Sequence, residues 1–172
     1  MNKEERKKIL ARFFGANSVF TLDSGESKRI KTFGDMDTFV TVFVHRKGDG
    51  GRRVFCPRSW DETKACKYCD AGDPQGAVAA APIYNFTDKR SQVALWSGPK
   101  RGPLAQVYAI FNATGPDVVM EVSKEGSGRQ TTYSFVPVVG ATEVIPPEAK
   151  ALTREEILSV VEQVMGGGEE EW

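Results

Sequence analysis

The sequence has little of several things that would point to a familiar class of protein. Its 172 residues include one histidine and three cysteines, and no apolar run reaches the length of a transmembrane helix. An odd number of cysteines disfavours a secreted disulfide scaffold, and the charged first residues lack the apolar stretch of a secretory signal. The chain also lacks net charge, with 23 basic and 23 acidic residues, which ordinarily argues against a nucleic-acid partner. These absences predict a cytoplasmic protein with no membrane segment.

The neutral total is the sum of two unlike parts. Residues 143–172 hold two basic and eight acidic residues, a net charge of −6, whereas residues 1–142 hold 21 basic and 15 acidic residues, a net charge of +6. This distribution indicates a basic body with an acidic tail, although ordinary surface charge would give the same count. The tail follows three glycines and fits either a frayed end or an arm for a basic partner, or for the protein's own basic surface. Its candidate partner-binding residues are Glu169, Glu170, Glu171 and Trp172.

Short strand-like runs dominate the pattern. The expected strands are Ser18–Leu22, Ser27–Phe33, Asp37–His45, Pro82–Thr87, Ser91–Trp96, Val118–Ser123 and Gln130–Val139. The expected helices are Asn2–Phe14, Leu104–Asn112 and one that begins after the capping box Thr153–Glu156. Short strands with few helices favour a mainly β protein, built as a small closed barrel with flanking short helices. We expect one domain over residues 1–165, with a basic helical arm over 1–14, an insertion over 45–74 and a flexible acidic tail over 166–172.

The insertion contains all three cysteines, and the histidine is at its start. His45, Cys56, Cys66 and Cys69 form the pattern H-x10-C-x9-C-x2-C, which is a complete ligand set for one tetrahedral zinc ion. Three sulfurs and an imidazole leave no coordination position for a catalytic water, so the predicted ion is structural. A redox C-x2-C pair and unrelated core residues are the alternatives. The segment has too few hydrophobic residues to fold by itself, which favours the metal site.

Basic and aromatic residues alternate in and after the insertion. Single strands of nucleic acid are bound without sequence preference by cations that contact phosphates and by rings on which bases stack. Packing in the core is the alternative for each ring. The candidate binding residues are Arg46, Arg52, Arg53, Trp60, Tyr68, Tyr84, Phe86, Trp96, Lys100, Arg101, Arg129 and Tyr133.

The metal pattern, the basic segment Lys3–Arg12, the hairpin Val118–Tyr133 and the acidic tail together resemble a known family. The chain is similar to the zinc-containing single-stranded DNA-binding proteins of tailed bacteriophages, of the T4 helix-destabilising type. The resemblance implies an oligonucleotide-binding (OB) barrel with an inserted zinc subdomain, in which His45, Cys56, Cys66 and Cys69 hold the ion. It also implies a role in DNA replication, recombination and repair in the cytoplasm of the bacterial host, with replication and recombination proteins bound by the tail and cooperative self-association through the N-terminal arm.

No enzymatic site is expected. The sequence lacks a phosphate-binding GxxxxGK[ST] motif, and the assignment of the only histidine to zinc leaves a Ser-His-Asp or Cys-His site without a base. The neighbouring carboxylates Asp35 with Asp37, and Asp61 with Glu62, are a weak signal for a metal-dependent nuclease. A zinc-containing module that binds RNA or a protein through the same barrel is the main alternative, because phosphate contacts and stacking serve RNA as well as DNA.

Overall fold

A computed structural model of the chain describes Glu5 and residues 18–46, 52–98 and 102–166. The expected N-terminal helix lies outside these residues except for Glu5, and so does the expected tail except for Gly166. Both therefore stay predictions. Within the described part of the chain, no helix is long and apolar enough to cross a membrane.

The described ranges form seven strands and three α-helices, together with three single-turn 3-10 helices at Met36–Thr38, Pro57–Ser59 and Gly128–Gln130. The strands are β1 (Ser27–Thr32), β2 (Val40–Arg46), β3 (Arg53–Phe55), β4 (Gly76–Asn85), β5 (Arg90–Ser97), β6 (Met120–Glu125) and β7 (Thr132–Pro137). The helices are α1 (Lys67–Asp70), α2 (Pro103–Thr114) and α3 (Arg154–Met165). The protein is thus mainly β, as the sequence predicts.

The strands form one antiparallel sheet in the order β3-β2-β4-β1-β6-β7, and β5 pairs with β4. Strand β4 is the centre of this sheet because β2 pairs with its first half and β1 with its last residues, while β5 runs along both parts. Pro82, which has no N–H to donate, lies between the β2-paired and β1-paired stretches of β4. The pairings of the described residues form an open path from β3 to β7, without the closing pair that the expected barrel requires.

Two hydrophobic cores lie against this sheet, each completed by one helix. Helix α3 packs its apolar side onto β2 and β3, where Leu158 and Val161 contact a cluster that includes Val42 and Phe55. The predicted helix start is confirmed, since Thr153 is the N-cap and its side chain accepts a hydrogen bond from the N–H of Glu156, which is one of the two bonds of a capping box. Helix α2 covers the second core, which contains the β5 and β7 rings Trp96 and Phe135.

Three local expectations differ from the structure. Strand β3 and helix α1 lie inside the stretch 46–74, for which the sequence shows no periodicity, and both depend on contacts distant in sequence. Strand β4 begins at Gly76 instead of Pro82, because β2 and β5 flank its alanine-rich start and leave Ala80 and Ala81 fully buried. The expected strand Ser18–Leu22 is wrong, and a single bridge joins Val19 to Val93.

Candidate functional site

The four predicted metal ligands come together from three parts of the fold. His45 is on β2 opposite Val54 of β3, and Cys56 comes two residues after Val54, so the two ligands are diagonal neighbours across the strand pair. Cys66 precedes helix α1 and Cys69 lies within it, and the Cys69 N–H donates to the Cys66 sulfur at 3.5 Å. His45, Cys56 and Cys66 are almost fully buried and Cys69 is partly buried. The C-x2-C turn is therefore folded over a buried histidine and a buried cysteine.

Four of the six distances between the ligand atoms match the edges of a tetrahedron. Cys56 Sγ lies 3.7 Å from Cys66 Sγ and 3.8 Å from Cys69 Sγ. His45 Nε2 lies 3.6 Å from Cys66 Sγ and 3.4 Å from Cys69 Sγ. Zinc–sulfur bonds of about 2.3 Å and zinc–nitrogen bonds of about 2.0 Å give tetrahedral edges of about 3.8 Å between sulfurs and about 3.5 Å from sulfur to nitrogen.

All four ligand atoms lie within 4.8 Å of one another and could hold one metal ion. Their sulfur-rich chemistry and their spacing fit a structural zinc. The convergence of four ligands, where a redox pair needs only two thiols, favours a metal site over the redox alternative.

The residues around the ligands orient them for a metal. His45 Nδ1 lies 3.0 Å from the Pro74 carbonyl oxygen, which can only accept a hydrogen bond. A proton on Nδ1 satisfies this contact and leaves Nε2 to bind an ion beside the Cys66 and Cys69 sulfurs. The Gln75 side-chain amide lies 3.6 Å from Cys56 Sγ and 3.9 Å from Cys69 Sγ, where its N–H groups face the sulfur charge. The Tyr68 ring stacks on the His45 ring with 5.4 Å between centroids.

The cysteines do not share one ionisation behaviour. Burial opposes ionisation of Cys66, but hydrogen bonds from the Cys69 N–H and the neighbouring thiols outweigh it and lower the pKa of Cys66. Burial, together with the nearby sulfurs, raises the pKa of Cys69 to about 12. Three thiolates this close repel one another, so full ionisation of the set needs a cation at its centre.

A cavity of about 630 Å³, here called the main groove, brings predicted binding residues together from β3, β5 and β7. Its charged lining residues are Arg53 and Lys124, and no carboxylate of the described residues lines it. Four rings also line it, namely Phe20, Trp96, Tyr133 and Phe135. The cavity therefore combines positive charge with aromatic surface.

A second cavity of about 410 Å³, here called the side groove, shares Arg53 and Ser97 with the main groove. Arg46 lines it, as do Pro74 and Gln75, which contact the metal ligands. The two cavities thus adjoin at Arg53, and the second one extends towards the metal centre.

Three further predicted residues flank the main groove in sequence. Lys100 and Arg101 lie outside the described residues, while Ser97 and Pro103 on either side of them both line this groove. Arg129 is in the turn Gly128–Gln130, of which Gly128 lines the groove, and the Arg129 side chain lies outside the described part.

Other predicted residues lie elsewhere or are covered. Trp60 lines a different cavity, which also contains Asp61 and Glu62, and its indole N–H donates to the Glu162 carboxylate. Tyr68 belongs to the metal centre. Arg52 is exposed and donates to the Met165 carbonyl oxygen.

The remaining rings are mostly packed. Tyr84 is 7% exposed and meets Phe86 edge to face, away from both grooves. Trp96 lines the main groove but is only 3% exposed, because Phe39 and Phe135 contact its ring edge to face. In this arrangement Tyr84 and Trp96 have no open ring face for a base, whereas Tyr133 is 39% exposed.

Two residues of the site were missed by the sequence prediction. Lys124 pairs with Tyr133 across the β6–β7 hairpin, and its ammonium lies 6.0 Å from the centre of the Tyr133 ring. The register of the predicted hairpin contained this signal. Gln75 had no sequence signal, since its role depends on how the chain after α1 folds back over the sulfurs.

Comparisons with protein-family models, curated proteins and solved structures found no match for this chain.

Proposed function

We propose that this protein binds single-stranded DNA with little sequence preference and is not an enzyme. The observation that carries the proposal is the main groove, where Arg53, Lys124 and Tyr133 meet and no carboxylate of the described residues lines the wall. Cations neutralise phosphates, and an exposed ring stacks a base of any kind, which is the chemistry of sequence-independent binding.

The groove has a ring positioned for stacking. Two of the predicted rings line the groove, and Tyr133 is more exposed than Trp96. The Lys124 ammonium lies 6.0 Å from the centre of the Tyr133 ring. A base that stacks on Tyr133 would bring its phosphate close to a cation. A stacked base contributes roughly 1–3 kcal/mol, and each phosphate contact adds a dependence on salt.

The proposed metal is zinc, in a structural role. It would join β2 and β3 to the segment around α1 through His45, Cys56, Cys66 and Cys69. The same chain segment places Pro74 and Gln75 against the side groove. When bound, the ion would supply folding free energy to this wall and no reaction chemistry.

The wider proposal follows the family resemblance. The sheet would be a variant of the OB barrel, and the protein would cover single strands during bacteriophage DNA replication, recombination and repair, with the acidic tail as the arm for partner proteins. An RNA-binding or protein-binding module with the same groove is the second candidate, favoured only by the tolerance of phosphate contacts and stacking for either nucleic acid.

A titration with matched variants tests the proposal. The full-length zinc-loaded protein is titrated with a dT oligomer, an rU oligomer and a duplex of equal length at two salt concentrations, with fluorescence anisotropy as the readout. We expect tightest binding to the dT oligomer and a steep loss of affinity with salt. Tighter binding to rU would support the second candidate, and equal affinity for duplex would overturn the proposal.

Two tyrosines of similar exposure supply the control for the site. Tyr133 is 39% exposed in the main groove, and Tyr108 is 55% exposed on helix α2 outside it. Tyr133→Ala is expected to weaken binding of the dT oligomer by roughly fivefold to 150-fold, the equivalent of one stacked base. Tyr108→Ala should leave the affinity unchanged. Equal effects of the two substitutions would mean that the main groove is not the binding site.

A further inference from the structure

Arg46 and Arg53 are direct cross-strand neighbours with the same charge. Strands β2 and β3 pair antiparallel with Arg46 opposite Arg53, so the two side chains leave the same face of the sheet. Like charges placed directly opposite each other destabilise a strand pair. The repulsion between Arg46 and Arg53 therefore destabilises the pairing of β2 with the three-residue strand β3.

Among the described residues, no carboxylate lies within ion-pair distance of either arginine, although Asp73 lines the same cavity. Burial, followed by the charge of Arg46, lowers the pKa of the Arg53 guanidinium. Arg53 is half-buried and Arg46 is exposed beside it. A half-buried cation is normally paired, so the position of Arg53 is suited to an anion from outside the protein, with Arg46 as the second cation.

The position of the pair selects the kind of anion. Both arginines line the side groove, and Arg53 also lines the main groove, so the pair lies where the two cavities adjoin. Two guanidinium groups offer planar donors on both sides of a phosphate, which they bind with strong charge-assisted hydrogen bonds. We propose that Arg46 and Arg53 together clamp one phosphate of a bound strand as it passes from the main groove into the side groove.

This inference rests on the proposed function and specifies the course of the bound strand across the protein. Bases would stack in the main groove at Tyr133, one phosphate would be held at the arginine pair, and the strand would continue over Gln75 towards the metal centre. The repulsion within the pair would be relieved only when the strand is bound. The clamp therefore predicts that stability and binding respond in opposite directions when the charges are removed.

The test uses Arg46→Gln/Arg53→Gln in the full-length metal-loaded protein. A shared phosphate predicts that the slope of log affinity for a dT oligomer against log salt becomes shallower by about 0.7, the value for one phosphate on a single strand. Affinity should fall about tenfold or more, as for a lost charge-assisted contact. In low salt the urea midpoint should be no lower than that of the wild type, because the repulsion is gone. A slope change of about 1.4 would mean two separate phosphates and would overturn the shared clamp.

Lys89→Gln/Arg90→Gln is the charge-matched control, because it also removes two positive charges and lies at the start of β5, whereas Ser97, at the groove, ends that strand. It should leave the salt slope unchanged. A change equal to that of the Arg46→Gln/Arg53→Gln variant would mean that net charge, and not a specific phosphate site, causes the effect, and would overturn the clamp. Arg46→Lys/Arg53→Lys keeps the charge, and so tests the clamp even if the Arg46→Gln/Arg53→Gln variant fails to fold. We expect it to keep the slope but bind several-fold more weakly, and affinity equal to the wild type would overturn the guanidinium clamp.

Two further outcomes separate this inference from the proposed function. If the wild type does not bind the dT oligomer at all, the proposed function fails and the clamp fails with it. If it binds, and the Arg46→Gln/Arg53→Gln variant binds equally well, only the clamp is overturned. Inorganic phosphate at constant ionic strength is the comparison ligand. Should it raise the unfolding temperature of the wild type and not of the Arg46→Gln/Arg53→Gln variant, while dT binding is unaffected by the substitutions, the pair holds a free anion and the strand clamp is wrong.

Discussion

Removal of the metal should release one segment of the chain and leave the sheet folded. Residues 61–75 contain Cys66 and Cys69, but neither hydrophobic core takes a residue from this segment. Its backbone bonds are local, such as Asp70 N–H to the Cys66 carbonyl at 2.9 Å and Asp73 N–H to the Tyr68 carbonyl at 2.9 Å. Beyond these bonds, Arg58 contacts the Lys64 carbonyl and Asp70, and the His45 ring contacts Tyr68 and the Pro74 carbonyl. A four-residue helix is not stable in water by itself. The segment therefore depends on the ligand set.

The expected loss of hydrogen-exchange protection follows from the free energy that a bound zinc ion contributes. A structural zinc site of this kind contributes on the order of 10 kcal/mol, which is comparable to the whole stability of a domain. If loss of the ion removes even about 4 kcal/mol from the opening free energy of the segment, hydrogen-exchange protection falls about a thousandfold. Exchange measured before and after chelation should show this loss at the amides of Asp70 and Asp73. The amide of Val93, buried in the first core, should change by less than about tenfold.

A pair of substitutions repeats the test without a chelator. Cys66→Ser removes one buried sulfur ligand, whereas Ala65→Ser adds a hydroxyl beside it and keeps all four ligands. We expect the exchange pattern of the metal-free protein in the first variant and that of the wild type in the second. Unchanged protection at Asp70 and Asp73 in protein shown by elemental analysis to be metal-free would refute the reasoning.

Three other predictions concern the ligand surroundings, the core and the tail. Gln75→Leu keeps the bulk but removes the amide that faces two sulfurs, so competition with a chelator should show metal affinity reduced roughly 10- to 100-fold. Leu158→Ala empties a fully buried site in the first core and should lower the free energy of unfolding in urea by about 2–5 kcal/mol with the metal retained. The Gly166 carbonyl accepts from the Phe55 N–H at 3.0 Å and the Met165 carbonyl accepts from Arg52, so the chain enters its acidic end beside β3. Deletion of residues 169–172 should strengthen dT binding at low salt and have no effect at high salt.

Features with a local physical cause could be predicted from the sequence. The ligand spacing identified all four residues that converge, because a C-x2-C turn is a local device and the two distant ligands are the only other cysteine and histidine in the sequence. The β6–β7 hairpin and the helix N-cap at Thr153 also depend on neighbouring residues, and both are confirmed.

Features that depend on distant contacts could not be predicted. Whether a ring stacks or packs depends on which strand covers it, so Trp96 and Tyr84 looked like binding residues and are buried. Arg46 and Arg53 belonged to the predicted set, but their pairing needs β3, a three-residue strand with no pattern of its own. Gln75 gains its role only when the chain folds back over the sulfurs.

The melting of a duplex tests most directly whether the protein prefers single-stranded DNA to duplex DNA. A protein that binds single strands in preference to duplex shifts the helix–coil equilibrium of DNA by mass action, without ATP. Absorbance melting of poly(dA-dT) with increasing amounts of the full-length protein in low salt should show a melting temperature that falls with protein concentration, and the shift should shrink as salt is added. A melting temperature that rises with protein concentration, or does not move at concentrations that saturate a dT oligomer, would contradict the account.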